Sequence, residues 1–250
     1  MNQIKAIGFD LFNTLITVES RTIAEAMRRA FHSLEKEGLA LDYELFKQAH
    51  RQAAMGFLAE TRRDGRETHN RFWISTALKT LGYSVPPDDP RIAEAVNGYF
   101  SAFYPYCRLV PGTKEMLESL SGKYRIGLLS NFTHPPAARE ILKRVGLTPF
   151  FELVLISGDL GYRKPHPSVF HRLIENLGVE KSRILYIGDD PESDITGARQ
   201  AGLQPVWMTY VRDHNIPSAP GVLFKPADDP DEDVPRISVW KDLFVFLENL

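Results

Sequence analysis

The sequence predicts a three-layer α/β fold, a Rossmann-like parallel sheet covered by helices and interrupted after its first strand by an all-helical insert. Two patterns carry that expectation. Beyond residue 108, short apolar runs alternate with amphipathic stretches, as in "RIGLLS" (125–130), "FELVLIS" (151–157), "RILYIG" (183–188) and "QPVWMT" (204–209). Runs this continuously apolar suit strands buried on both faces, and their alternation with helices suits a parallel sheet. From Thr17 to Tyr106 the texture differs: four successive segments place apolar residues at three-and-four spacing with no strand between them. Such a series packs as a bundle of its own.

Taken in order, "IKAIGF" (4–9) is the first core strand. The helical segments begin at "RTIAEAMRRAF", "YELFKQAHRQAAMGFLAETRR", "THNRFWISTALKTLG" and "PRIAEAVNGYFSAFYPY", each stopped by Gly, Pro or basic residues. The expected division is a core of residues 1–16 and 108–250 and a helical cap of 17–107. The acidic, Pro-punctuated stretch "KPADDPDEDVPR" reads as a solvated connector, and "SVWKDLFVFLENL" as a closing helix.

With 43% hydrophobic and 25% charged residues over 250 positions, the chain has the composition of an ordinary globular protein. Thirty basic residues against 32 acidic ones leave a net charge of -2, which gives no global attraction for nucleic acid or an anionic membrane. No apolar run approaches a membrane span, and the first residues lack a secretory pattern. The one cysteine, Cys107, excludes an internal disulfide and reads as a core residue. A cytoplasmic location is therefore expected. Apolar faces such as "FWISTAL" leave monomer and homodimer both open.

Ligands of open parallel sheets bind beyond the carboxyl ends of the strands. At those ends stand Asp10, Ser130, Lys164 in "GYRKPHP", and the pair Asp189 and Asp190. Each alone has an ordinary reading, such as an Asx turn, a surface lysine, or a helix cap for Asp194. As an ordered set, "FDLFNTL", "LLSN", "KPHP" and "GDDPESDITGARQAG" resemble the four motifs of the haloacid dehalogenase-like hydrolases. The helical insert sits where that family carries a C1-type cap.

The resemblance implies a nucleophile at Asp10 and phosphate or substrate donors at Thr14 and Ser130. It also implies a charge-balancing Lys164 and a magnesium site of Asp10, the Phe12 carbonyl and Asp189, supported by Asp190 and Asp194. The implied reaction is hydrolysis of a small phosphorylated metabolite through an aspartyl-phosphate. The residue types agree with those roles: several carboxylates converging on one crevice repel, a single lysine cannot neutralise them, and hard oxygen donors suit Mg2+.

Phe12 departs from the family's phosphatases, which carry a second acid there to protonate the leaving group. General acid catalysis is typically worth about 10²- to 10⁴-fold, so its loss favours activated leaving groups or a donor from elsewhere. His134 is the nearest such residue, with His166 reading as a helix-start residue. From the cap, His50 or Arg62, Arg63 and Arg66 of "ETRRDGRE" are further contributors. The family's 2-haloacid dehalogenases also carry an aromatic at this position. On that reading Asn131 and Arg51 would bind the substrate, against the presence of Asp189. A folded relative without turnover is the third reading.

Overall fold

The structure, a computed structural model, describes residues 3–217, 229–231 and 233–250. Among them the core sheet has the order β5-β4-β1-β6-β7-β8, with every pairing parallel. Its strands are β1 (Ala6–Phe9), β4 (Arg125–Ser130), β5 (Leu153–Ile156), β6 (Ile184–Gly188), β7 (Gln204–Met208) and β8 (Arg236–Ile237). β2 (Ile16–Val18) and β3 (Cys107–Leu109) pair antiparallel as a separate ribbon where the chain leaves and re-enters the core. The sequence expectation did not include this ribbon, because three-residue strands carry too little periodicity to read.

Period-two alternation divides the core strands between two layers. Ile7, Phe9, Ile126, Leu128, Leu185 and Ile187 pack on one face with α5 (Thr113–Leu120), α6 (Pro135–Arg144) and α11 (Trp240–Glu248). Ala6, Leu129, Ile184 and Tyr186 turn to the other face, against α8 (Pro167–Leu177) and α9 (Gly197–Ala201). The short helices α7 (Ser157–Leu160) and α10 (Tyr210–Asp213) follow β5 and β7. This is the three-layer α/β arrangement expected. In the acidic stretch 225–236, residues 225–228 and 232 lie outside the described residues, whereas Asp231 and Asp233 each pair with Arg199 at 2.8 Å.

Between β2 and β3 lie α1 (Thr22–Lys36), α2 (Tyr43–Asp64), α3 (Asn70–Thr80) and α4 (Pro90–Ser101). Local sequence sets their ends. The Asp42 side chain caps α2 by accepting from the Leu45 N–H at 2.9 Å. Gly65 terminates the same helix in the left-handed region at φ 71°, where a Cβ would be strained. Asp89 caps α4 ahead of Pro90, whose missing N–H costs nothing at a helix start.

The bundle interior encloses a polar pair, His50 and Asn70. His50 is 4% exposed, with its Nε2 3.0 Å from Asn70 Oδ1 and its ring stacked on Tyr99. Burial lowers its pKa and the Asn70 contact only partly opposes that. His69 and His134 are lowered too, His69 to about 4, chiefly by loss of solvent.

A histidine held neutral in the fold takes up a proton more readily once unfolded. Its stabilising effect is complete above the ordinary histidine pKa of about 6.5 and is lost as pH falls toward the lower folded value. Urea melts at pH 7.5 and pH 5.5 are expected to show lower stability in acid, with a smaller loss in His50→Phe. An acid loss of the same size in that variant would show that His50 does not contribute.

Candidate active site

The chain crosses from the β4, β5 side of β1 to the β6, β7 side, so the switch point of the sheet lies at the carboxyl ends of β1 and β6. Phe9 is in register with Ile187, and the Asp10 N–H continues the ladder to the Ile187 carbonyl at 2.9 Å. That register sets Asp10 beside the Gly188–Asp189 turn. Asn13, at φ 62°, supplies the left-handed residue that turns "LFNTL" back on itself, with its N–H on the Ile16 carbonyl.

Lys164 binds this cluster together. It is 3% exposed, and its Nζ donates to Asp10 Oδ1 at 2.6 Å, Asp194 Oδ1 at 2.6 Å and Tyr186 Oη at 2.9 Å. Burial works against the ammonium, but the Asp10 and Asp194 carboxylates outweigh it and raise the Lys164 pKa. The Tyr186 hydroxyl in turn donates to the Leu129 carbonyl at 3.0 Å. Space for that ring comes from Gly8, where a Cβ would lie 2.8 Å from Tyr186 Cδ2.

Asp10, Asp189 and Asp194 each offer a carboxylate oxygen within 4.8 Å of the others. Loss of solvent, then the charges of Asp10, Asp194 and Asp190, push the Asp189 pKa well up. Three carboxylates facing one ammonium cannot all stay ionised without further positive charge, and a divalent cation with hard-oxygen preference fits the donor set.

Asp190 stands apart from that trio. Its Oδ1 accepts from the Glu192 and Ser193 N–H groups at 3.1 and 2.6 Å, capping the turn at Pro191–Thr196. Asp194, equally plausible as a cap in sequence, lies inside that turn and is directed to Lys164. Thr14 Oγ1 donates to Asp10 Oδ2 at 3.3 Å. Ser130, fully buried at the end of β4, has an Oγ without a hydrogen-bond partner.

The crevice above these groups has a volume of about 500 Å³. Besides Asp10, Lys164 and the acids, its lining includes Phe12, Arg163 and His166 from the core and Leu58, Thr61, Arg62, Arg63 and Asp64 from α2. Thr14 and Ser130, both fully buried, are not in that lining, and four other residues singled out by sequence also lie outside it. Arg51 is on the exposed side of α2, one position round from buried His50, and does not line the crevice. His134 faces His69, Nδ1 to Nε2 3.2 Å, and stacks on Phe100. His50 is enclosed in the bundle, and Arg66 pairs with Asp64.

Asn131 reaches the crevice, yet its amide is spent on the Lys164 backbone: Nδ2 donates to the carbonyl at 3.0 Å and Oδ1 accepts from the N–H at 2.8 Å. Its position thereby fixes the lysine. Sequence reasoning passed over Tyr186, Asn13 and Gly8. A tyrosine inside the otherwise aliphatic "RILYIG" was the available signal, since a buried hydroxyl requires a partner.

Gly188 is the tightest point of the site, because a Cβ there would fall 2.3 Å from Asp194 Cγ. Gly188→Ala must displace Asp194 from Lys164. It is expected to lose about 1–3 kcal/mol in a urea melt, as overpacked interiors do. An unchanged melt would show that Asp194 can move at no cost.

Comparison with known proteins accords with this geometry. Residues 4–202 match the sequence profile of the haloacid dehalogenase-like hydrolases. The chain is 31% identical over 210 residues to a glyceraldehyde 3-phosphate phosphatase of Pyrococcus abyssi, covering 83% of this chain and 82% of that protein. It is 32% identical over 210 residues to a ribulose-1,5-bisphosphate 5-phosphatase of Halopiger xanaduensis, covering 80% and 83%. Among solved structures, a 2-haloacid dehalogenase from Pseudomonas syringae pv. Tomato superposes with a TM-score of 0.72 over 99% of both chains. Its 21% identity makes this a likeness of fold. With the profile match spanning most of its length, the chain belongs to the haloacid dehalogenase-like hydrolases.

Proposed function

We propose that the protein is a magnesium-dependent phosphatase of a small phosphorylated metabolite, with the helical insert as its cap. The observation that carries this reading is the Asp10, Asp189 and Asp194 cluster around Lys164. A haloacid substrate needs no cation, and without one Asp189, crowded against Asp10 and Asp194, has no role to fill. The phosphatase names of the relatives at about 30% identity support the same choice.

In this reading Asp10, Asp189 and the Phe12 carbonyl would hold Mg2+, supported by Asp194 and Asp190. When bound, the ion supplies the positive charge that lets an anionic phosphoryl group approach a carboxylate. Lys164 holds Asp10 Oδ1, which leaves Oδ2, beside Thr14, as the attacking atom. That oxygen forms a bond to phosphorus while the bond to the leaving oxygen breaks, and the leaving oxygen departs with the electron pair. Ser130 Oγ, otherwise unpartnered, donates to the transferring group. Water then attacks phosphorus, phosphate departs and the Asp10 carboxylate is restored.

Phe12 shapes the substrate preference. Its ring, 7% exposed, stacks on Phe132 with centroids 4.9 Å apart, and Phe132 meets Phe100 and Phe103 of the insert region. This apolar wall holds no proton for a leaving alkoxide. Good leaving groups, acyl phosphates among them, are the ones the site serves best.

Hydrolysis of a series of phosphate esters and acyl phosphates, with Mg2+ or with EDTA, tests both parts. Turnover is expected only with Mg2+, falling steeply as leaving-group pKa rises, and Phe12→Asp is expected to flatten that dependence. Chloride release from 2-chloropropionate in EDTA, with no phosphate released from any ester, would establish dehalogenation instead. A wild-type rate indifferent to leaving-group pKa would mean that another residue donates the proton.

A further inference from the structure

Between α2 and α3 the insert returns a short strap against the core. The Gly65 carbonyl accepts from the Arg163 N–H at 3.0 Å, and the Glu67 N–H donates to the Gly161 carbonyl at 2.9 Å. These two bonds make an antiparallel bridge of Arg66 with Tyr162, immediately ahead of Lys164 in the chain. The approach is close: a Cβ on Gly65 would lie 2.8 Å from His166 Cδ2.

Glu67 points inward from this strap, and its side chain is only 3% exposed. One carboxylate oxygen, Oε2, accepts from the Ser157 hydroxyl. The other accepts from the Thr68 N–H at 2.9 Å and lies 3.4 Å from Arg163 Nη1. Ser157 Oγ in turn accepts from the Phe132 N–H at 2.8 Å. A continuous polar chain thus runs from an insert carboxylate through Ser157 to the loop that begins Ser130–Asn131. A second contact reaches Arg163, next to Lys164. The Phe132 ring is the one stacked on Phe12. A carboxylate buried at this depth is unfavourable unless its partners hold it, so Glu67 is fixed only while strap and core are together.

We propose that Glu67 is a positioning residue for the reaction: docking of the strap sets, through Ser157 and Arg163, the two loops that carry Ser130 and Lys164. Glu67 does not line the crevice. The inference rests on the phosphoryl-transfer reading of the same site, but half of its test does not need turnover.

The test compares Glu67→Ala, Glu67→Gln and Ser157→Ala with His69→Ala, which removes a different contact across the same seam, that to His134. With a substrate that the wild type hydrolyses, Glu67→Ala is expected to lower kcat by about 10- to 100-fold, the scale of small misplacements in a catalytic geometry. Its KM is expected to stay within about twofold, because uniform binding is untouched. Glu67→Gln, which keeps an acceptor for Ser157, is expected to retain more activity. Adding Glu67→Ala to Ser157→Ala is expected to cost less than it does alone, as for residues in one network. His69→Ala is expected to leave kcat unchanged.

Hydrogen exchange at the Phe132 amide provides the readout independent of activity. Exchange is expected to quicken in Glu67→Ala and not in His69→Ala. Equal kcat losses in those two variants, or an unchanged Phe132 amide in a folded Glu67→Ala, would overturn the proposal. If the wild type hydrolyses no phosphate compound, the phosphatase reading fails, and the amide exchange still decides whether Glu67 holds the loop.

Discussion

The site depends on one buried cation. Lys164 sits beneath the surface between Asp10 and Asp194, and each partner is itself buried. Such a cluster is costly to assemble, and removing one member of a buried pair typically costs about 3–5 kcal/mol, because the other is left uncompensated. Its neighbours are accordingly specified by shape. Gly8 admits the Tyr186 ring, Gly188 admits Asp194, and the Asn131 amide clamps the lysine's backbone at both ends. Asp10 just beyond β1, Asn131 just beyond β4, Tyr186 of β6 and Asp194 of the turn after it all contact the lysine. The parallel sheet brings those segments together through register alone.

One ammonium does not neutralise the crowded acids, and this imbalance turns a structural cluster toward chemistry. Asp189, next to the Trp207 indole that holds its carbonyl at 2.8 Å, is fixed where burial and the neighbouring carboxylates disfavour its anion. The apolar wall of Phe12, Phe132, Phe100 and Phe103 borders the same space. A charged floor against an aromatic wall suits transfer from a leaving group that needs no proton. The end of α2 also contributes to the crevice, with Arg62 and Arg63 in its lining.

Much of this was legible in the chain. Strand-end positions named Asp10, Ser130, Lys164 and Asp189 because an open parallel sheet puts those ends on one edge. Helical periodicity gave the insert, since amphipathic stripes survive without tertiary context. What stayed hidden depends on rotation and depth. Arg51 and His50 are neighbours in sequence, yet one helical step puts the first outside and the second in the bundle core. Asp190 and Asp194 look alike in "GDDPESD", but the turn geometry makes one a cap and the other a partner of Lys164. Glu67 lies in a connector without periodicity, and its contacts with Ser157 and Arg163 span 90 and 96 residues, so no local pattern could reveal them.

The central claim is that Asp10 attacks phosphorus. The most direct measurement is mass spectrometry of the peptide containing Asp10 after acid quench during steady-state turnover in heavy-oxygen water. A phosphoryl adduct on Asp10, with its carboxylate oxygens unlabelled after turnover, is the predicted result. Heavy oxygen incorporated into Asp10 itself would contradict the account, since that label marks hydrolysis of a carbon ester at the aspartyl carbonyl.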